Sequence, residues 1–216
     1  MADPFDIYAL VLGPLGANCF LVAAAGRALV IDPGDEAGTV RLALDEIAAT
    51  PAAVLLTHGH FDHFGAANEL ASGFSLPVYI GADDAAQVAD PGLGPLAGFP
   101  IASVEAGCIT FSGEQALDVV VPVTAIPTPG HSRGSFTFAI ADHLFVGDLI
   151  FRGSVGRTDL VGGSSDELLD SIAGLVRRFP PDVTVHCGHG PDTSLGRELA
   201  VNPFLAPLRY DPEHRR

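Results

Sequence analysis

The chain has 216 residues, 48% of them apolar, and its 26 acidic against 11 basic residues give a formal net charge of -15. All of the basic residues are arginines, and this acidic balance argues against nucleic acid and membrane surfaces as partners, because both are bound through basic patches. The chain has no run of about twenty apolar residues and no basic, apolar leader, which predicts a cytoplasmic protein without a transmembrane segment.

Short apolar or alternating runs open the chain at 5–12, 18–23 and 27–32, separated by turns that contain glycine, and they predict a meander of strands. An amphipathic helix is expected at 36–48, followed by a strand at 53–56. Farther along we predict helices at 65–72, 83–89, 165–178 and 194–201, strands at 77–80, 119–126, 135–140, 143–147 and 182–187, and a loop at 91–100. These elements predict two sheets flanked by helices, an α/β layered sandwich in one domain over residues 1–216.

Cysteine usage indicates reduced thiols. Cys19, Cys108 and Cys187 are far apart in the sequence and form no C-x-x-C pair, which argues against a disulfide framework. Cys19 and Cys108 are interpreted as buried apolar residues; the alternative is a nucleophilic cysteine paired with a distant histidine.

Residues 57–63 read THGHFDH and follow the predicted strand at 53–56. They contain four potential metal ligands, namely His58, His60, Asp62 and His63. In extended backbone His58 and His60 point to the same side and can bind one ion, whereas Asp62 and His63 diverge toward a neighbouring position. A shell of histidines and carboxylates is typical of a catalytic ion that retains water. The alternatives are a helix cap for Asp62 and surface positions for the histidines.

Further ligands are expected at other strand ends, because one cluster cannot complete two coordination shells. The candidates are His131 in a Pro-Gly turn, Asp148 directly after an apolar strand, and His189 after the strand at 182–187. A carboxylate beside Phe145 and Val146 is unfavourable unless a cation compensates its desolvation. The alternative for Asp148 is a Gly-Asp turn in solvent.

In this order the motifs T-H-x-H-x-D-H, G-H, G-D and G-H-G resemble the metallo-β-lactamase superfamily, and the resemblance extends from residues 31–34 (IDPG) to 202–204 (NPF). It implies a four-layer αβ/βα sandwich with one or two metal ions between the sheets. Residues 153–159 (GSVGRTD) and 188–198 look like those of the short bacterial glyoxalase II-like hydrolases.

The resemblance implies particular roles for these residues. The first metal site would comprise His58, His60 and His131, and the second Asp62, His63 and His189, with Asp148 bridging them. Asp62 and Asp148 are in addition the expected catalytic residues. Asp32 is similar to a family aspartate that accepts a hydrogen bond behind the metal-binding loop; the first position of a D-P-G turn is an equally open interpretation.

The expected reaction is hydrolysis of a small-molecule thioester such as S-lactoylglutathione or a related thiol conjugate. Two divalent ions, zinc or else iron or manganese, would lower the pKa of a shared water toward about 7, so that hydroxide can attack the carbonyl. A thiolate whose thiol has a pKa of about 8.5 can leave without a dedicated acid. Longer glyoxalase II enzymes bind glutathione through lysines and a C-terminal helical extension, whereas this chain has no lysine and only a short polar tail after 202–205. The identity of the thiol carrier is therefore left open. The sequence does not specify an oligomeric state either.

Two other functions are alternatives, an iron-dependent persulfide dioxygenase and a metal-binding protein without turnover. The dioxygenases usually have a P-A-H-D-Y type segment where residues 187–191 read CGHGP, which favours hydrolysis. The acidic composition and the 153–159 segment argue against a nuclease or a lactamase.

The remaining polar residues have their own interpretations. Arg157 and Asp159 are expected to form a structural ion pair, and His186 to be a buried, hydrogen-bonded histidine. His143 and His214 are expected to be exposed, and Arg133 and Arg152 are candidates for contact with an anionic substrate.

Overall fold

The computed structural model describes residues 5–90, 102–104 and 107–210. The first half of the chain forms β1 (Asp6–Leu12), β2 (Ala17–Ala24), β3 (Arg27–Ile31), α1 (Ala37–Glu46), β4 (Thr50–Leu55), α2 (Phe61–Phe64), α3 (Ala67–Phe74), β5 (Val78–Gly81), a 3-10 turn (Ala82–Asp84) and α4 (Ala85–Ala89). The second half forms β6 (Ile109–Phe111), β7 (Gln115–Asp118), β8 (Pro122–Pro127), β9 (Phe136–Ile140), β10 (His143–Gly147), β11 (Ile150–Phe151), β12 (Ser154–Val155), α5 (Ser165–Arg178), β13 (Thr184–Cys187), β14 (Thr193–Ser194), α6 (Leu195–Val201) and a 3-10 helix (Pro203–Tyr210).

Two six-stranded sheets form the centre of the fold, in the orders β1-β2-β3-β4-β5-β6 and β14-β13-β10-β9-β8-β7. Strands β3 to β6 are parallel to one another, and so are β10 and β13. Helices α1 and α3 pack on the outer face of the first sheet, and α5 and α6 pack on the outer face of the second. This arrangement confirms the predicted four-layer αβ/βα sandwich.

The central strands contribute to two cores at once, because successive side chains of a strand point to opposite faces. In β2, Leu21 packs beneath α1 and α3, whereas Phe20 lies between the two sheets. In β10, Leu144 and Val146 face α5, and Phe145 lies between the sheets. Burial on both faces explains why these strands read as near-continuous apolar runs.

Most predicted elements occur within a few residues of their expected bounds, and α5 has the predicted bounds of 165–178. Strand β4 begins at Thr50 rather than 53, because parallel pairing with β3 extends to Arg27 and Thr50. Helix α2, the short strands β6, β7, β11, β12 and β14, and the last 3-10 helix were not predicted. The expectation of a polar tail after 202–205 was wrong, since Leu208 is buried against α5. The predicted loop at 91–100 lies outside the described residues.

The two sheets meet at the carboxyl ends of β3, β4, β10 and β13. The amide of Phe136 donates to the carbonyl of Thr57 at 2.8 Å, and the amide of Asn18 donates to the carbonyl of Gly188 at 2.7 Å. The chain segments that leave these four strands therefore converge at one edge of the sandwich. Within the described ranges, no helix combines the length and apolar character that crossing a bilayer needs.

Candidate metal centre

Three buried histidines lie together where β4 ends and where the β8–β9 loop turns. The ring centroids are 4.7 Å apart for His58 and His60, 4.8 Å for His58 and His131, and 4.5 Å for His60 and His131. Nε2 of His131 is 2.8 Å from Nδ1 of His60, and one ring nitrogen from each residue lies within 4.8 Å of the others. These residues, called here the three-histidine group, are those predicted for the first metal site.

A second set, called here the Asp62 group, comprises Asp62, His63 and His189. Oδ2 of Asp62 is 3.3 Å from Nε2 of His189 and 3.8 Å from Nε2 of His63. Asp148 lies between the two groups. Its Oδ1 is 3.4 Å from Nε2 of His63, and its Oδ2 is 3.6 Å from Nε2 of His131. The structure thus brings all seven predicted residues together, with Asp148 between the two groups.

The local backbone differs from the extended segment that was expected. His58 lies in a bend, His60 precedes α2 with extended dihedral angles (φ -81, ψ 142), and Asp62 and His63 are within α2. Asp62 is in the first turn of that helix and is not its N-cap, so the capping interpretation was wrong. Neighbouring positions of a helix point about 100° apart, which explains why Asp62 and His63 diverge.

Asp32 orients one imidazole in each group. Its Oδ2 accepts the Thr57 hydroxyl at 2.6 Å and lies 3.0 Å from Nδ1 of His63. Because the Thr57 hydroxyl has one proton and donates it to Asp32, the 3.0 Å contact with His58 requires that Nδ1 of His58 donates. Both oxygens of Asp32 are in use, since Oδ1 accepts the amide of Thr57 at 2.7 Å. Asp32 also lies with His58 and His63 in a third set of potential metal ligands. The supporting role that the family resemblance implied for it stays a prediction.

His131 is oriented in the same manner, since its Nδ1 is 2.8 Å from the carbonyl oxygen of Arg157. Three atoms that face the centre are buried without a hydrogen-bond partner in the described part of the chain: Nε2 of His58, Nε2 of His63 and Oδ1 of Asp148. Buried polar atoms are rarely left without a partner, and a cation bound between them satisfies all three. The donor set of imidazole nitrogens and carboxylate oxygens fits a catalytic dinuclear metal site in chemistry and in position.

Burial and neighbouring charges separate the pKa values of the histidines. Burial lowers the pKa of His58 well below its usual value, and the nearby imidazoles lower it further. Burial and His131 lower the pKa of His60 to about 4. Both rings are therefore neutral at pH 7, which is the state that binds a metal ion.

The Asp62 group behaves in the opposite way. Burial opposes protonation of His63, but the charges of Asp148 and Asp32 outweigh it and hold its pKa well above the usual value. The hydrogen bond to Asp62 raises the pKa of His189 despite partial burial. For Asp148, burial acts to raise the pKa, and the charge of His63 with those of His131 and His189 lowers it strongly. When no ion is bound, His63 and His189 therefore hold a proton more readily than an ordinary imidazole does, whereas the lowered pKa of Asp62 favours its ionised form.

Sequence analysis missed Asn18 and Asp84. Nδ2 of Asn18 donates to the carbonyl oxygens of Cys187 at 2.9 Å and Gly190 at 2.8 Å, which holds the turn that carries His189. Asp84 ends the 3-10 turn after β5 and is 1% exposed. Its position after a parallel strand was a usable signal, because the same reasoning had selected Asp148.

Other polar residues mostly follow their interpretations. Arg157 and Asp159 pair through contacts of 2.7 and 2.8 Å. His186 is buried and stacks on Phe145 with ring centroids 4.6 Å apart. The prediction for His143 was wrong: it is half-buried beside His186, with Nδ1 2.9 Å from Nε2 of that ring. His214 lies outside the described residues.

The cysteines carry no sign of a nucleophile. Cys19 and Cys187 are buried, Cys108 is half-buried, and all three are free thiols. Burial raises the pKa of Cys187 to about 12 and also raises those of Cys19 and Cys108. A thiol with so high a pKa is not ionised at neutral pH.

The comparisons with known proteins agree with this geometry. The family model described as the metallo-beta-lactamase superfamily matches residues 12–189. Probable metallo-hydrolase YqgX of Bacillus subtilis (strain 168) is 36% identical over 200 residues, which cover 90% of this chain and 94% of that protein. Hydroxyacylglutathione hydrolase GloC of Haemophilus influenzae is 30% identical over 196 residues, covering 87% of this chain and 92% of GloC.

Two solved structures are similar over nearly the whole chain. The BLEG-1 B3 metallo-beta-lactamase has a TM-score of 0.88 and 36% identity, covering 93% of this chain and 100% of that one. TTHA1623 in a di-iron-bound form has a TM-score of 0.83 and 37% identity, covering 92% of this chain and 100% of that one. The family match, the two-sheet fold and the cluster of histidines and aspartates together show that this chain belongs to the metallo-beta-lactamase superfamily.

Proposed function

We propose that the chain is a metal-dependent thioesterase whose substrate is S-lactoylglutathione or a related thiol conjugate. The observation that carries the proposal is the position of Asp148, which lies between the three-histidine group and the Asp62 group with a buried, unpartnered Oδ1. A carboxylate in that position can hold two cations side by side. Membership of a superfamily that includes probable metallo-hydrolases supports the general reaction class.

We assign the first ion to the three-histidine group, the second to the Asp62 group, and the bridging position to Asp148. Imidazole and carboxylate ligands suit zinc, and they also suit iron or manganese; the similarity to TTHA1623 in its di-iron-bound form keeps iron as a candidate. When bound, two such ions lower the pKa of a shared water and polarise the carbonyl that it attacks.

The exposure of the ligands indicates the side from which a substrate enters. The side chain of His189 is 26% exposed, whereas those of His63 and His131 are 0% and 3% exposed. A carbonyl therefore approaches from the side of the Asp62 group, past His189. Asp62 and Asp148 orient the reacting groups there, in line with the catalytic role expected for them.

A thioester fits the groups that the site offers. A departing thiolate needs no proton donor, because the pKa of its thiol is about 8.5. The raised pKa values of the cysteines argue against a covalent thiol intermediate. The similarity to GloC supports hydroxyacylglutathione as the substrate class.

Hydrolysis of β-lactams is a second candidate, favoured by 36% identity to the BLEG-1 B3 metallo-beta-lactamase over 93% of this chain. The departing amine of a lactam needs a proton, unlike a thiolate. The thioester remains the preferred substrate, because its cleavage requires no proton donor beyond the residues already assigned.

One set of assays separates the candidates. Metal content is measured on freshly purified protein, which is then assayed with S-lactoylglutathione, with a cephalosporin, and with glutathione persulfide while oxygen uptake is followed. We expect about two ions per chain and turnover of the thioester with the highest kcat/KM. A single iron with oxygen uptake on the persulfide would replace the proposal with the dioxygenase. Metal-loaded protein that is inert toward all three substrates would indicate a binding protein without turnover.

A further inference from the structure

Asp84 is a buried carboxylate that joins the two chain segments of the three-histidine group. Its Oδ2 accepts the amide of Gly59 at 2.9 Å and the hydroxyl of Ser132 at 2.6 Å. Its Oδ1 accepts the amide of Gly134 at 2.9 Å. Gly59 lies between His58 and His60, and Ser132 directly follows His131.

Steric contacts reinforce these hydrogen bonds. A Cβ atom at Gly59 would lie 2.9 Å from the carbonyl oxygen of Asp84, and one at Gly134 would lie 2.5 Å from its amide nitrogen. Neither segment can carry a side chain at these points without displacing Asp84. The 3-10 turn after β5 therefore sets the separation between the two segments by hydrogen bonding and by close packing.

We propose that Asp84 is a positioning residue that fixes His131 relative to His58 and His60, and thereby determines the metal affinity of the three-histidine group. It acts through Gly59, Ser132 and Gly134, so it is not itself a ligand or a catalytic residue. The inference rests on the proposed function only in requiring that an ion binds to this group.

Ser132 extends the same connection. The Ser132 hydroxyl donates to Asp84. Oγ of Ser135 lies 2.6 Å from Oγ of Ser132 and can donate to it. The amide of Ser132 donates back to Oγ of Ser135 at 3.2 Å. The turn that presents His131 is therefore closed on itself and anchored to Asp84, so loss of the carboxylate releases the whole turn.

The test measures zinc affinity at the three-histidine group alone. His189→Ala in the full chain weakens the Asp62 group, and zinc is then titrated in competition with a chromophoric chelator. Adding Asp84→Asn is expected to raise the dissociation constant about 10- to 100-fold, the range for groups that orient metal ligands. Asp83→Asn is the matched control, because it removes the same charge from the exposed neighbouring residue and is expected to leave zinc affinity unchanged.

A purely structural role for Asp84 is distinguished by two further measurements. Thermal unfolding of the metal-free variants reports on the fold, and the absorption bands of bound cobalt report on ligand geometry. The inference predicts altered cobalt bands for Asp84→Asn but not for Asp83→Asn. It is overturned if Asp84→Asn lowers the melting temperature while zinc affinity and cobalt bands keep the values of the unsubstituted background.

If Asp84→Asn does not fold, Ser132→Ala provides the second variant, because it keeps the carboxylate and removes one donor. It is expected to raise the zinc dissociation constant in the same background, and an unchanged constant contradicts the inference. Thioester turnover is assayed separately in the chain without substitutions. Two bound ions without thioester cleavage would defeat the proposed function, whereas unchanged zinc affinity in the variants would defeat only the role of Asp84.

Discussion

Asp32 holds His63 through a 3.0 Å contact between Oδ2 and Nδ1, and both side chains are buried. The same oxygen accepts the hydroxyl of Thr57, which in turn is 3.0 Å from Nδ1 of His58. One carboxylate therefore orients an imidazole in the three-histidine group and another in the Asp62 group. In both rings the remaining nitrogen, Nε2, is left to face the centre.

Substitution of Asp32 by asparagine is predicted to weaken metal binding at both groups by about 10- to 100-fold. Asparagine tolerates the left-handed backbone of this position (φ 50), but it offers fewer acceptors to the three donors that converge there. Thr57→Val is the partial control, since it removes the hydroxyl that links Asp32 to His58 and leaves the contact between Asp32 and His63. Metal content after dialysis against a chelator measures both effects, and equal retention by Asp32→Asn and the unsubstituted chain would contradict the prediction.

Metal binding is predicted to depend on pH at one group more than at the other. The raised pKa values of His63 and His189 mean that an ion at the Asp62 group displaces protons, so its affinity rises as the pH increases through and above the usual imidazole range. The lowered pKa values of His58 and His60 mean that these two ligands release no protons in that range. Calorimetric titration in buffers of different ionisation enthalpy counts the protons released by each ion. Equal proton release on metal binding at both groups would contradict the predicted difference in pH dependence.

Replacement of Asp148 by asparagine is predicted to reduce metal content and to lower kcat by about a thousandfold, because a charge that stabilises two cations is lost. His58→Ala is predicted to remove the ion of the three-histidine group and to reduce turnover similarly. Asp45→Asn is a charge-matched control on the exposed face of α1. Assays with S-lactoylglutathione and metal analysis of the same preparations provide the test; retained turnover in both site variants would overturn the residue roles.

Arg152 is predicted to bind an anionic part of the thiol carrier. It follows Phe151, whose ring lies 6.0 Å from that of His189, and its side chain is exposed. Arg152→Ala is expected to raise KM for an anionic thioester about tenfold, the scale of one charged hydrogen bond, with little change in kcat. Arg177→Ala, an exposed arginine at the end of α5, is the control. The difference in KM between Arg152→Ala and the unsubstituted chain should diminish at high salt. Identical KM values for Arg152→Ala and Arg177→Ala would contradict a role of Arg152 in substrate binding.

Gly188 is predicted to tolerate no side chain, because a Cβ atom there would lie 2.3 Å from Oδ1 of Asp148 and 2.8 Å from Cε1 of His63. Gly188→Ala should therefore lose the ion of the Asp62 group. Gly174→Ala provides a contrast, since among the described residues only its chain neighbours and the backbone of α5 itself could lie within 4 Å of the added atom. It is expected to increase the free energy of unfolding by about 0.5 to 1 kcal/mol. Metal content tests the prediction for Gly188→Ala, and denaturant unfolding tests the one for Gly174→Ala. An unchanged metal content of Gly188→Ala would contradict the first prediction.

Several features of the site were predictable from local sequence. The THGHFDH segment after an apolar strand indicated metal ligands because four donors in six residues have no ordinary role in a core. Asp148 was recognisable because it directly follows the apolar residues of β10. Strand and helix positions followed from hydrophobic periodicity, which reports burial of one or both faces. The short strands β11, β12 and β14 lacked such a signal, since two residues form no period.

The sequence by itself determined the chemical character of the centre and the layered fold, because both depend on which side chains occupy the ends and faces of individual elements. Only the tertiary structure decided how the ligands are held. Asn18 holds the turn of His189 from 172 residues away, and Asp84 joins segments that are 25 and 50 residues from it. Hydrogen bonds of this kind depend on the packing of two sheets against each other, and no local pattern of residues reports the separation or orientation of groups so distant along the chain.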